Sequence, residues 1–429
     1  MLTDDQRADA VGFMGNPQIK TPHLDILASQ GIVFSNAYVT TSICSVSRAS
    51  ILTGQYARRH NIWGFSKNFS PQQWQKTYPI VMRNQGYYTG FIGKFGVGNE
   101  LPQADFDYWR GFEGQGSFRQ KNEAGDDIHL TRMISDQIIT FIDTVKSKAQ
   151  AFCLSVSFKA PHVEGDPGYF LPDPKYGQLH NQQVLSEPVQ SAPEFFNHFP
   201  PAFTENNVAR NRWKSRFANP QMQQENIRKY YQLIHGIDVV VGELVEALTR
   251  NGLLDNTIII YTSDNGFYLG EYGFAGKWYG SEPSIRVPLM IFDGRNPLSQ
   301  RKTRKDIALN IDLAPTLLKL AGITSPKEMQ GYALMPQPES PRDYFLYEHL
   351  WQSTPRYFIP STEGIVYTDK KYMRYFMNRD TTELIFEELY DLNKDPLEIN
   401  NLMNAPTFTS LKKSLKDTLH RAKLQASVD

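Results

Sequence analysis

Thr257-Ile258-Ile259-Ile260-Tyr261 is a short run of β-branched and aromatic residues that stops at a polar turn, Thr262-Ser263-Asp264-Asn265-Gly266. Just upstream, from Glu225 to Asn251, Ile227, Tyr230, Tyr231, Ile234, Ile237, Val241, Leu244, Val245 and Leu248 recur at steps of three and four. That spacing predicts a helix, with Gly252 as its C-terminal cap. A long amphipathic helix feeding an apolar strand is one unit of an α/β sheet. Similar runs at Tyr87 to Ile92, Phe152 to Phe158 and Val287 to Phe292 repeat the alternation along the chain. Strands of this kind, apolar on both faces, predict parallel pairing under helices on either side.

The 429 residues exceed one ordinary domain, and 45 Lys+Arg against 45 Asp+Glu leave no net charge to draw the chain to nucleic acid. Hydrophobic residues at 40% and aromatics at 13% supply a large core. A mean hydropathy of -0.46 without a long apolar run predicts no membrane span. Cys44 and Cys153 allow at most one bridge, so the compartment stays open on that count. Met1-Leu2-Thr3-Asp4-Asp5 reads as the end of a strand whose apolar beginning is missing, which predicts a truncated start. A signal peptide in such a missing segment would make the protein periplasmic or secreted.

Gly165 to Pro220 is rich in Pro, Asn, Gln and aromatics and predicts a lid or substrate loop. A helix from Asp312 ends at Gly322, and the Pro-rich stretch Ser325 to Pro341 follows. The expected division is a large domain over residues 1–335 and a smaller α+β unit over 336–429. In that unit, strands at Gly364 to Tyr367, Lys371 to Met377 and Glu388 to Tyr390 precede a helix from about Thr407.

Lys94, His162 and Asp264-Asn265 each follow a predicted strand, and ligands of open α/β sheets bind beyond the carboxyl ends of the strands. Asp4-Asp5 joins them if its strand is complete. Asp4, Asp5, Asp264 and Asn265 are hard oxygen donors, suited to Ca²⁺ or Mg²⁺. Taken alone, each dipeptide also reads as a solvated turn, Lys94 and Lys277 as surface charges, and His162 as a loop imidazole. Cys44 stands just before a short helix ending at Gly54, where backbone N–H groups favour negative charge. Alone, it also reads as an inert buried thiol, and Arg48 as the partner of a nearby Asp.

The stretch Cys44-Ser45-Val46-Ser47-Arg48, with Thr53-Gly54 beyond it, resembles the signature of the sulfatase family in the alkaline phosphatase superfamily, Cys-x-Pro-x-Arg followed by Thr-Gly. Asp4-Asp5-Gln6-Arg7, Gly15-Asn16-Pro17, Lys20 to Asp25, Gly93-Lys94, Ala160-Pro161-His162, Thr262 to Gly266, Gly276-Lys277 and Leu389 to Leu392 resemble the family's landmarks, in its order. The resemblance implies a large, mostly parallel sheet of alkaline phosphatase type. It also implies that a formylglycine-generating maturation enzyme converts Cys44 to formylglycine, whose hydrate is the nucleophile. Asp4, Asp5, Asp264 and Asn265 would then hold Ca²⁺, or Mg²⁺, together with the modified residue 44. Arg48 would orient the hydrate, Lys94 and Lys277 would meet the sulfate oxygens, and His162 would protonate the departing alcohol.

The implied reaction is hydrolysis of a sulfate ester, with a sulfated saccharide the expected substrate. Two positions depart from the pattern: Val46 replaces the usual Pro or Ala, and Gly96 replaces a histidine that many members carry two residues after the lysine. Two other readings stay open, a phosphodiesterase or phosphonate monoester hydrolase of the same superfamily and an inactive sulfoglycan-binding homologue. Arg58, Arg59, His60 and Trp63 read either as part of a sugar-binding mouth or as ordinary rim residues.

Overall fold

In the computed structural model, which describes residues 1–148, 150–165, 167–350, 352–353 and 358–428, the alternation resolves into one large sheet. Its strands are β1 (Leu2–Asp4), β2 (Ile32–Phe34), β3 (Tyr88–Lys94), β4 (Tyr108–Phe112), β5 (Phe152–Pro161), β6 (Ile258–Ser263), β7 (Leu289–Asp293) and β8 (Lys302–Arg304). They lie in the order β8-β2-β7-β6-β1-β5-β3-β4. Every pairing is parallel except those of β7, which runs antiparallel to both β6 and β2. The fold is of the α/β class, and β7 is its one departure from uniform parallel pairing.

Period-two alternation sends successive side chains of each strand to opposite faces. Ile259, Tyr261, Met290 and Phe292 face helices α1 (Pro22–Ser29), α4 (Leu130–Lys146) and α5 (Pro220–Arg250). Ile260, Leu289 and Ile291 face α2 (Cys44–Thr53), α3 (Tyr78–Asn84) and α6 (Leu313–Leu320). Each such side chain, moved fully out of water, contributes about 1.5–3 kcal/mol. Helix α5 starts before the apolar period does, because the Asn219 side chain accepts the Met222 N–H and Pro220 fits the first turn. Beyond its end Gly252 adopts a φ of 68°, a left-handed conformation that glycine takes without strain.

Four antiparallel strands, β9 (Tyr344–His349), β10 (Ser361–Tyr367), β11 (Lys370–Phe376) and β12 (Leu384–Asp391), form a second sheet in that order. Helix α7 (Thr409–Ser427) covers it with Leu415, Leu419, Ala422 and Ala426. The segment expected as a lid is instead partly packed. It carries the helix Val208–Arg216, and it buries Phe199 and Phe203 against Tyr279, Tyr375 and Phe386. Phe199 and Phe203 are core residues there, at 3% and 0% exposed, packed between Tyr279 and the second sheet. Among the described residues no helix is long and apolar enough to cross a membrane.

Candidate active site

Strand β1 sits between β5 and β6, and its register assembles the site. Asp4 lies opposite Pro161, and Thr3 lies opposite Ser263. The next residues along these strands, Asp5, His162 and Asp264, therefore emerge side by side at the carboxyl end of the sheet. Lys94 ends β3, and Lys277 follows a hairpin made by Tyr268–Leu269 and Ala275–Gly276. Cys44 is the first residue of α2 and Arg48 lies one turn in, so both ride on the same buried helix.

All of these groups except His162 are almost wholly out of water: Asp4, Asp264 and Asn265 are 0% exposed, Lys94 and Cys44 1%, Arg48 and Asp5 2%, and Lys277 4%. Charges so buried persist only when paired. Lys94 Nζ donates to Asp4 Oδ2, and Lys277 Nζ donates to Asp5 Oδ1. Arg48 Nε donates to Asp264 Oδ2 at 2.8 Å, Nη1 donates to the Lys94 carbonyl at 2.8 Å, and Nη2 lies 3.5 Å from Asp4. Asn265 Nδ2 donates to Asp5 Oδ1 at 2.6 Å, and Asp5 N–H donates to Asp264 Oδ1 at 3.2 Å.

The electrostatics follow from this pairing. Burial opposes ionisation of Asp4, yet Lys94, His162, Arg48 and Lys277 together hold its carboxyl far below the usual range. Asp264 is pushed up to about 6, by burial first and then by the adjacent Asp4 charge. Burial disfavours the Lys277 ammonium, but Asp5 and Cys44 lead the neighbours that hold it above its ordinary range. His162 is lowered to about 4 by burial. Its Nδ1 sits 2.6 Å from the Val163 carbonyl, which places the proton there and turns Nε2 toward Asp5 Oδ2, 3.6 Å away.

The donor set fits a hard divalent cation. Asp4, Asp5 and His162 each offer a ligand atom within 4.8 Å of one another. Asp4 Oδ1 and Asn265 Oδ1 are buried without a hydrogen-bond partner. Oxygens orphaned in a dry site carry a desolvation cost that an oxygen-seeking cation removes.

Several participants escaped the sequence reading. Ser157, within β5, accepts from Arg48 Nη1, and the Tyr230 hydroxyl donates to the Asp5 carbonyl at 2.6 Å. Asp5 has a φ of 67°, so this support holds a backbone conformation that is uncommon for Asp. From β9, the Tyr347 hydroxyl donates to the Trp278 carbonyl at 2.6 Å and accepts the Ser42 N–H at 3.3 Å. It thereby latches the segment entering Cys44 to the one leaving Lys277. Gln115 Oε1 accepts from Lys94 Nζ at 2.7 Å, and the buried Lys159 holds the same loop through the carbonyls of Gln115 and Gly116, both at 3.1 Å. A lysine inside the otherwise apolar Phe158-Lys159-Ala160 was the available signal for that contact.

Three of the four residues weighed as a sugar mouth have structural partners. Arg58 makes two 2.6 Å bonds to Glu348, Arg59 donates to the Val428 carbonyl, and His60 is fully buried against Ser50. At Gly96 the φ is 73°, and a Cβ there would lie 2.8 Å from Arg48 Cδ. The space a side chain would enter is taken by Arg48 itself.

Known proteins show the same arrangement of chain. The family described as Sulfatase matches residues 1–323, and that described as N-sulphoglucosamine sulphohydrolase, C-terminal, matches residues 270–425. An N-acetylglucosamine-6-O-sulfatase of Bacteroides thetaiotaomicron is 27% identical over 99% of this chain and 86% of its own. A protein solved in complex with its substrate D-glucosamine-2-N,6-O-disulfate superimposes with a TM-score of 0.84 at 26% identity, over 99% of this chain and 97% of the other. A phosphonate monoester hydrolase from Silicibacter pomeroyi shares the fold, with a TM-score of 0.82 at 19% identity over 99% and 94% of the two chains.

Proposed function

The chain belongs to the sulfatase family, hydrolases of sulfuric esters, and on that premise we propose that it removes sulfate from a sulfated amino sugar by means of a nucleophile made from Cys44. One observation supports this above the others: two orphaned carboxylate and amide oxygens, Asp4 Oδ1 and Asn265 Oδ1, lie in a buried cluster with Arg48, Lys94 and Lys277. The substrate class is supported by the sulfated glucosamines named for the two relatives above, and the reading taken here is an ester at O6 of the sugar.

Asp4, Asp5, Asp264 and Asn265 would hold Ca²⁺, or Mg²⁺, which supplies positive charge for the sulfate oxygens and for the nucleophile at position 44. Formylglycine, formed from Cys44 by a maturation enzyme, supplies as its hydrate a hydroxyl nucleophile with a second hydroxyl in reserve. The protein's own groups do the remainder. Lys94 and Lys277 neutralise the nonbridging oxygens, and their pairing with Asp4 and Asp5 fixes where those ammonium groups stand. Arg48, held by Asp264 and Ser157, orients residue 44 from one turn along the same helix. The N-terminus of that helix adds partial positive charge. His162 delivers a proton to the departing alcohol from Nε2, since an anionic ester beside the imidazole favours its protonated form.

The test is mass spectrometry of the tryptic peptide Thr21 to Arg48 from protein made in its native host, followed by assay on N-acetylglucosamine 6-sulfate and on phenyl phosphonate and phosphate esters. Formylglycine at position 44 with a preference for the sulfate is the expected result. Unmodified cysteine would mean that Val46 blocks maturation and would favour a binding protein. Preference for the phosphorus esters would move the reading to a phosphonate or phosphate ester hydrolase.

A further inference from the structure

The buried cluster leaves few ways out for a substrate. Of the described side chains bonded or ion-paired to Asp4, Asp5, Lys94, Arg48 or Lys277, most are buried, whereas the His162 side chain is 16% exposed and Gln115 lies at the surface. Sulfate can be enclosed by the cluster, but the alcohol it is attached to must point toward solvent. His162 and Gln115 are the members of this set that reach toward solvent.

Gln115 is positioned with unusual care for an exposed loop residue. Gly114 and Gly116 on either side each have a φ of 63°, a turn that places its side chain over Lys94. Its backbone is fixed by Lys159, whose side chain is 1% exposed and which spends donors on the carbonyls of Gln115 and Gly116. Glu164 completes the frame, accepting from Ser117 Oγ at 2.9 Å and from the Phe118 N–H at 2.6 Å and lying 3.5 Å from Lys159. A buried ammonium persists only where its donors find acceptors, and the acceptors of Lys159 belong to this loop and hold it in place. The Gln115 carboxamide oxygen meets Lys94, while its nitrogen, on the other arm of the same group, donates to no described residue.

From this geometry we infer that Gln115 is a specificity-determining residue that hydrogen-bonds the sugar portion of the sulfate ester, through the carboxamide N–H groups, as a nonbridging sulfate oxygen meets Lys94. The inference rests on the sulfatase reading and names the part of the substrate this loop recognises. An oxygen of the sugar, ring or hydroxyl, satisfies the free donors; a plain aryl group does not.

The experiment compares matured wild-type protein with Gln115→Ala and Lys159→Met on N-acetylglucosamine 6-sulfate and on 4-nitrophenyl sulfate, with the thermal midpoint and formylglycine content measured for each. Losing one hydrogen bond of ordinary strength should lower the ratio of kcat/KM for the sugar over the aryl ester by about tenfold in Gln115→Ala. The change should fall mainly on KM. Lys159→Met should lower the same ratio, because the loop loses its anchor. An unchanged ratio in an active, correctly matured Gln115→Ala overturns the inference and leaves the sulfatase reading standing. Wild-type protein that carries formylglycine and cleaves neither sulfate overturns both. If Lys159→Met does not fold, the ratio measured for Gln115→Ala decides alone.

Discussion

The Arg48 guanidinium donates to the Asp264 carboxylate at 2.8 Å, and both side chains are 2% exposed or less. Removing one partner of such a pair leaves a buried charge uncompensated. Arg48→Met is expected to lower unfolding stability by about 3–5 kcal/mol, measured by denaturant titration. It should also abolish turnover even at temperatures where the variant remains folded. A variant of unchanged stability would mean that water reaches Asp264.

Cation binding should be visible without any substrate. Ca²⁺ or Mg²⁺ at a hundredfold excess over its dissociation constant stabilises a protein that binds it only when folded by about 2.7 kcal/mol. Thermal melts of the wild type should rise accordingly, and Asp4→Asn should erase the shift. A cation-induced rise retained in Asp4→Asn would remove Asp4 from the ligand set.

His60 offers a pH test away from the cluster. Burial lowers it to about 3, and its Nε2 lies 3.0 Å from Ser50 Oγ. Below its unfolded value of 6.5 the unfolded chain takes up a proton that the folded protein refuses. Stability from this group is therefore complete above 6.5 and is lost as pH falls toward 3. The stability difference between wild type and His60→Gln should shrink by about 1.4 kcal/mol per pH unit over that window. Denaturant melts from pH 7 to pH 4 check it, and a pH-independent difference would refute the burial account.

Restoring the family's histidine should not help this enzyme. Position 96 has a φ of 73° and Arg48 already fills the adjacent space. Gly96→His is expected to cost about 1–3 kcal/mol of stability and to lower kcat by displacing Arg48. A rise in kcat would show that the loop relaxes and that the histidine regains its place.

Tyr347→Phe should uncouple the segments that carry Cys44 and Lys277 while leaving the core filled. The Ser42 N–H and Trp278 carbonyl lose a shared partner in a buried setting, at a cost of about 1–3 kcal/mol. Turnover should fall with little change in the melting of the second sheet, as read by hydrogen exchange across β9 to β12. Unaltered kcat would show that each segment holds its position without the latch.

Much of this arrangement was legible because the candidate site groups lie where strands stop. Lys94, His162 and Asp264-Asn265 each terminate an apolar run, and parallel register then makes them neighbours, so local pattern and topology agree. The antiparallel course of β7 was not legible, since Leu289 to Asp293 has the same two-faced apolar pattern as its parallel neighbours. Strand direction depends on the connection, and the residues of the strand do not record it. Gln115 and Tyr347 were hidden for a different reason. Each acts from a distant segment through a single polar atom, and an isolated Gln in a Gly-rich loop or a Tyr in an apolar strand has no periodicity to betray it. Arg58 and His60, open in the sequence between a sugar-binding mouth and an ordinary rim, direct polar atoms to Glu348 and Ser50, partners that local pattern does not reveal.

The burial of Cys44, 1% exposed at the start of a helix whose every residue is buried, imposes a chronology on the protein's life. The oxidation proposed for this thiol would need access that is closed once strand β9 has brought Tyr347 against Ser42. On that proposal maturation would have to come first and folding second, and the two would compete. A chain that folded before it was oxidised would lack the proposed nucleophile, so the yield of active enzyme would depend on how long the C-terminal part of the chain takes to arrive.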